Sequence, residues 1–260
     1  LGGAPEGGGA DAAPAAQVVA EIEALGGAAV ANTDDVATEE GAQRLVAQAV
    51  EVFGDLHAVI NNAGILRDRT LVNMSADEWS SVLHVHLDST FFVSHAAANY
   101  WRDRSKAGGA VDARIINTTS GSGLYCNPGQ TNYAAAKAGI AAFSVVASKE
   151  LDRYGVTVNA ISPMARTRLT ESLMGKGPAD GDDRFSPASV APLVVWLCSA
   201  EASGVTGQVF EAGGSRIALC SGWARGPRID NGKARWNTAD LGPVVEKLLA
   251  ESPPATSIAG

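Results

Sequence analysis

Apolar residues recur at helical spacing over 12–25, where Val18, Val19, Ile22 and Leu25 share one side and Gly26-Gly27 ends the run. Ala28-Ala29-Val30-Ala31-Asn32 then predicts a short buried strand, closed by Thr33-Asp34-Asp35. A second helix is expected over 38–53 with Gly54 as its stop. Leu56-His57-Ala58-Val59-Ile60 reads as the next strand, halted by Asn61-Asn62-Ala63-Gly64. Ser75 caps a long helix whose apolar positions include Trp79, Leu83, Leu87, Phe91 and Val93. Further strands fall at 114–117, 156–161 and 208–211. Between them lie a helix carrying Tyr133 and Lys137, which runs on to Tyr154, and another over 189–197.

Strands alternating with helices through short connections predict an α/β fold: a doubly wound, mostly parallel sheet of Rossmann type, with helices on both faces in three layers. The whole of 1–260 reads as a single domain. Residues 213–260, richer in Trp, Pro and Arg and less regular, form a C-terminal extension of it. Ligands of such sheets bind outside the carboxyl ends of the strands. Three successive strands here end in unusual sequence: Asn61-Asn62-Ala63-Gly64, Thr118-Thr119-Ser120-Gly121-Ser122 and Ser162-Pro163-Met164. Ser120 therefore falls on the same rim as Ala63 and Gly64, where small residues would let a flat cofactor ring approach the backbone.

Composition narrows the class without naming it. The 260 residues are 46% hydrophobic and 18% charged, ordinary for a globular protein with a sizeable core. A net charge of −8 with no basic stripe argues against nucleic acid as partner. Cys126, Cys198 and Cys220 are odd in number and widely spaced, which suits free thiols in a reducing compartment. His57, His84, His86 and His95 lack metal-ligand spacing, so no metal site is expected. With no apolar run of membrane-spanning length, a cytoplasmic enzyme is the expectation.

The candidate chemistry is in Tyr133-Ala134-Ala135-Ala136-Lys137, downstream of Ser120. Residues four apart project from one helical face. A cation beside a phenol favours the phenolate, so the pair is expected to lower the tyrosine pKa and give an acid/base near neutral pH. Ser120 would hold the substrate oxygen.

These residues, with Asn61-Asn62-Ala63-Gly64 and the Pro163 segment, resemble the classical short-chain dehydrogenase/reductase family. Within it, Ile65-Leu66-Arg67-Asp68-Arg69, His84-Val85-His86-Leu87, Tyr125 with Asn127, and Gly129-Gln130 resemble the (3R)-hydroxyacyl-CoA dehydrogenase domain of multifunctional enzyme type 2 (17β-hydroxysteroid dehydrogenase type 4) and its bacterial relatives. The resemblance spans nearly the whole chain. It implies NAD-dependent oxidation of a secondary alcohol, a 3-hydroxyacyl-CoA or a hydroxysteroid, with NADP not excluded. An NADPH-dependent 3-ketoacyl reductase and a non-catalytic regulatory protein on the same fold are the alternatives.

By position, Tyr133 is the general acid/base, Ser120 bonds the reacting oxygen, and Lys137 binds the nicotinamide ribose. His86 stands where the family carries an asparagine that anchors a water relay. Asp35 and Val36 match an adenine-contacting pair, Asn62, Ala63 and Gly64 line the cofactor, and Pro163 and Thr167 touch the nicotinamide amide. Met164 replaces the usual glycine there. The loops at 66–71, 124–130 and 167–181 would wall the substrate pocket, and a homodimer or homotetramer is implied.

The family opens with a strand and a G-x-x-x-G-x-G turn that cradles pyrophosphate at a helix N-terminus. Gly3, Gly7 and Gly9 match the spacing, but no strand precedes them and Pro5 interrupts. The resemblance places 1–9 after the family's second strand, which implies roughly 30–45 residues, about one βαβ unit, ahead of Leu1. Residues 1–260 alone are then expected neither to fold stably nor to bind NAD, because the central strand would be missing.

Overall fold

The computed structural model describes residues 12–167, 170, 175, 177, 183–232 and 235–253. The glycines at 3, 7 and 9, and most of the expected pocket loop at 167–181, lie outside the described residues.

One five-stranded sheet runs in the order β1 (Ala58–Asn61), β2 (Ala113–Thr118), β3 (Val156–Pro163), β4 (Val209–Gly213), β5 (Arg216–Leu219). The first four strands are parallel and β5 returns antiparallel beside β4. Every residue of β2, and all but the last of β3, is buried, as both faces of a parallel sheet are when helices cover them. Alternate side chains feed two cores. Ile115 and Val158 pack toward helices α2 (Glu39–Phe53), α4 (Ser89–Lys106) and α6 (Thr131–Leu151), with Val46, Trp101 and Ala147 among the contacts. Ile116 and Ile161 face the other way, onto Leu193 and Leu197 of α7 (Ala191–Leu197). The predicted α/β class, mostly parallel sheet and two-sided helical cover are all present.

The element ends follow their local chemistry. Thr38 accepts the Gly41 amide at the start of α2, and Gly54 closes it at φ 82°, a left-handed value that favours glycine. Ser75 and Glu78 form a reciprocal capping box on α3 (Ala76–Leu83). α1 (Ala13–Ala24) forms as expected but buries none of its residues.

Three expectations need correction. Residues 28–32 are extended but make no ladder, and Val30 is exposed. A strand needs a partner for its backbone groups; here Gln48 Nε2 donates to the Ala31 carbonyl and Gln48 Oε1 accepts from the Asn32 side-chain Nδ2 instead. The long helix from Ser75 is not uniform: a π-helical turn at His84–Asp88 separates α3 from α4. The C-terminal region also contains regular structure that sequence reading missed, namely β5 and an exposed amphipathic helix, α8 (Leu241–Glu251).

Candidate active site

The site is assembled where β1 and β2 end. Asn61 and Asn117 are cross-strand partners in β1 and β2, and the Asn61 amide donates to Asn117 Oδ1 at 2.8 Å and to Ser94 Oγ at 3.0 Å. Asn117 passes the chain on to Ser144 of α6 at 2.9 Å. This buried polar row fixes the strand ends that carry Asn62 and Thr118, which are themselves joined by Thr118 Oγ1 donating to Asn62 Oδ1 at 3.0 Å.

Beyond Thr118 the chain turns through Ser120, whose extended φ of −160° makes it the N-cap of the short helix α5 (Gly121–Tyr125). The Ser122 N–H donates to Ser120 Oγ at 3.2 Å. α5 lies against α6 closely enough that a Cβ on Gly123 would meet Ala138 N and the Lys137 carbonyl carbon at 2.6 Å each. Only glycine permits that approach. α6 starts on Asn132, whose Oδ1 accepts the Tyr133 N–H and whose Nδ2 donates to the Arg67 and Glu78 carbonyls.

Tyr133 and Lys137 occupy one face of α6 as the spacing requires. The Lys137 ammonium is 5.6 Å from the Tyr133 ring centroid and donates to the Thr118 carbonyl at 2.7 Å. Thr119 Oγ1 donates to the Lys137 carbonyl at 2.6 Å, tying the same turn to the strand end. Lys137 is buried, and burial pushes its pKa down from 10.5 to about 7. The tyrosine moves opposite to expectation: its pKa is raised, chiefly by burial and further by the Asp68 carboxylate, while a hydrogen bond with Ser120 pulls it down. The lysine nitrogen lies over the ring and is engaged with Thr118, and it does not offset the loss of water around the phenol oxygen.

His86 lies inside the π-helical turn and is buried. Its ring meets Tyr133 edge to face, and Nε2 contacts both the Ile65 N–H (3.1 Å) and the Ile65 carbonyl (2.8 Å). Either tautomer satisfies one of these and leaves Nδ1 without a partner among the described residues. Burial foremost, then the charge of Lys137, lowers its pKa from 6.5 to about 3, so the imidazole is neutral. A Cβ on Gly64 would meet His86 Cε1 at 2.4 Å. The glycine's smallness thus admits the histidine ring, a different use from the cofactor approach expected of it. Ala63 and Asn62 remain exposed on the rim.

The remaining candidates sit at strand and helix ends. Asp35 Oδ1 accepts the Ala37 N–H and Val36 joins the periphery of the core, both just before α2. Pro163 ends β3, Met164 donates its N–H to the Ala212 carbonyl with its side chain half exposed, and the exposed Thr167 donates its N–H to Thr170 Oγ1. Two features had no clear sequence signal: the close α5–α6 contact at Gly123 and the polar row under the rim. A glycine inside a helical segment was the available clue to the first.

Among the described residues no helix is long and apolar enough to cross a membrane, and no cluster of His, Cys, Asp and Glu is arranged to hold a metal ion.

The short chain dehydrogenase family model matches residues 9–176. Hydroxyacyl-CoA dehydrogenase ChsB1 of Mycobacterium tuberculosis is 42% identical over 257 residues, covering 95% of this chain and 81% of that protein. Peroxisomal multifunctional enzyme type 2 of Mus musculus is 38% identical over 247 residues, which is 95% of this chain but 30% of that longer protein. The crystal structure of a short chain dehydrogenase from Mycobacterium avium superposes with a TM-score of 0.88 at 49% identity, covering 98% of this chain and 85% of that one. The chain belongs to the short-chain dehydrogenase family and is an oxidoreductase enzyme. Members of this family bind a nicotinamide dinucleotide, NAD or NADP.

Proposed function

We propose that the chain is an NAD-dependent dehydrogenase that interconverts a secondary alcohol and a ketone, with a 3-hydroxyacyl-CoA as substrate class. The observation that carries this reading is the meeting of Ser120, at the end of β2, with Tyr133 and Lys137 on one face of α6, Lys137 being buried with its Nζ over the Tyr133 ring. The names of the relatives supply the substrate class.

The donor set fits a dinucleotide. Lys137 uses one N–H on Thr118 and keeps donors for the ribose hydroxyls. Asn62, Ala63 and Gly64 would flank the nicotinamide half with Pro163 and Thr167, and Asp35 and Val36 the adenine half. When bound, NAD accepts the hydride from the carbinol carbon.

The protein's own residues manage the oxygen and its proton. In the ketone-to-alcohol direction, Ser120 donates to the carbonyl oxygen and the protonated Tyr133 phenol delivers its proton to that oxygen. In the alcohol-to-ketone direction, the phenolate takes the hydroxyl proton. Ser120 favours that form by its hydrogen bond. His86 Nδ1, the ring nitrogen with no partner among the described residues, is the attachment point for a water relay that returns the proton to solvent.

We also assign a homodimer or homotetramer that pairs α3–α4 and α6, where Trp79, Phe91 and Val146 are exposed, and a cytoplasmic location. Light scattering on the purified protein tests the assembly. The function is tested by NADH formation from (3R)-hydroxybutyryl-CoA by the full-length protein, with NADP run in parallel. Tyr133→Phe is expected to lose about 10²–10⁴-fold in kcat, the range of a lost general acid/base. Equal rates for the two proteins would refute the assignment, and faster turnover with NADP would reverse the cofactor choice.

A further inference from the structure

We propose that Gln130, held by Asp68, is a positioning residue for the Ser120 hydroxyl. This inference rests on the proposed dehydrogenase reading and extends it to one residue from each of the loops at 66–71 and 124–130, whose side chains bond to one another.

The Gln130 side chain is only 4% exposed, and its amide is in use at both ends. Oε1 accepts from Ser122 Oγ at 2.7 Å and from Asn127 Nδ2 at 3.0 Å, and Nε2 donates to Asp68 Oδ2 at 2.8 Å. The amide cannot be turned over: that would set its oxygen against a carboxylate and its NH2 against the Asn127 NH2. Ser122 in turn directs its backbone N–H at Ser120 Oγ. With one lone pair of Ser120 so engaged, its own O–H is left to donate toward the phenol oxygen or a substrate oxygen. One amide therefore links the segment after β1 to the five-residue helix that carries the serine at its N-cap.

The Asp68 end is anchored independently. The Arg69 N–H donates to the Gly129 carbonyl at 2.8 Å, and Arg69 and Gln130 form a parallel bridge. Arg69 also pairs with Glu78 at 3.2 Å. Asp68 Oδ2 serves Gln130, while Oδ1 is buried without a hydrogen-bond partner among the described residues.

A half-buried carboxylate with one oxygen shut away from water and unpartnered among the described residues is costly. It also works against the phenolate of Tyr133, which faces Asp68 from this segment, Ser120 from α5, His86 from the π-helical turn and Lys137 from its own helix. A residue chosen only for stability would not carry that charge here. A charge-assisted hydrogen bond to Gln130 is the return, because it is shorter and stiffer than a neutral one.

Three variants of the full chain test this. Gln130→Glu keeps the acceptor for Ser122 and Asn127 but opposes two carboxylates. Its kcat with (3R)-hydroxybutyryl-CoA and NAD is expected to fall roughly tenfold to a hundredfold, the cost of a displaced reacting group. The KM for NAD should stay within about twofold, because the cofactor contacts are intact. Adding Asp68→Asn restores the pair with donor and acceptor exchanged, and kcat should return to within about threefold of the unsubstituted enzyme. In a Ser120→Ala background Gln130→Glu should cost nothing further, since its effect passes through Ser120. Failure of the exchange to restore kcat, or an equal fold-loss with and without Ser120, overturns the proposal while turnover by the unsubstituted protein keeps the dehydrogenase reading. No turnover by the unsubstituted protein on either nucleotide overturns both.

Discussion

The imidazole of His86 stands edge-on to the phenol ring of Tyr133, centroids 5.1 Å apart and planes at 83°. Burial at this position, and then the charge of Lys137, make acid sensitivity a property of the site. His86 drops from its ordinary 6.5 to about 3 in the folded chain. Between those values the unfolded chain binds one more proton, so folding stability decreases as pH falls through the window. The midpoint of urea unfolding, followed from pH 7 to pH 3, should therefore decline more steeply for the natural chain than for His86→Asn. Parallel curves would show that His86 is not the group responsible.

The same ring constrains Gly64. Its missing Cβ would sit 2.4 Å from His86 Cε1, and the ring cannot retreat without loosening Nε2 from Ile65. Gly64→Ala is expected to cost about 1–3 kcal/mol, the range for overpacking a core. His86→Ala in the same chain returns the space, so the double variant should lose less than the sum of the two single losses. Strict additivity in chemical denaturation would refute the steric account.

Much of this was legible before any coordinates. Helical spacing put Tyr133 and Lys137 on one face, and the small-residue strand ends put Ser120 on the same rim; all three meet in the structure. Their electrostatics was not legible. The expected fall in the Tyr133 pKa rested on the neighbouring cation alone, whereas burial at 133 reverses that shift and burial at 137 lowers the lysine. Residues 28–32 show the second limit: an apolar run predicts burial, but a strand exists only with a partner ladder. The third is the use of glycine. Gly64 and Gly123 are spared a side chain by His86 and by the α6 backbone, long-range neighbours that local sequence cannot identify.

Lys137 supplies a test of the same sign at high pH. Its pKa falls from 10.5 to about 7 on folding, so the unfolded chain binds more protons between those values. Its contribution to stability is full above pH 10.5 and is lost as pH falls toward 7. Subtracting the unfolding free energy of Lys137→Met from that of the natural chain should leave a difference that grows with pH across this window. The variant should also lose NAD turnover, a stability–function trade at one residue. A pH-independent difference would mean that the amine keeps an ordinary pKa.

Asn117 carries the last prediction, because the strand-end row depends on a group that both donates and accepts. It takes the Asn61 amide on Oδ1 and donates to Ser144 Oγ, with no exposed surface. Asn117→Leu removes both bonds and should destabilise the fold by about 1–3 kcal/mol, the cost of stranding buried polar partners. Asn117→Asp keeps the acceptor for Asn61 but buries a charge with no cation among the hydrogen-bond partners of this position. The two replacements then separate by pH. A buried carboxyl takes up its proton above the ordinary range, so the Asp variant gains stability relative to the Leu variant as pH falls from 7 to 4. A gap between them that stays constant over that range would place this residue in contact with water and remove the polar row as the support of the Asn62–Thr118 rim.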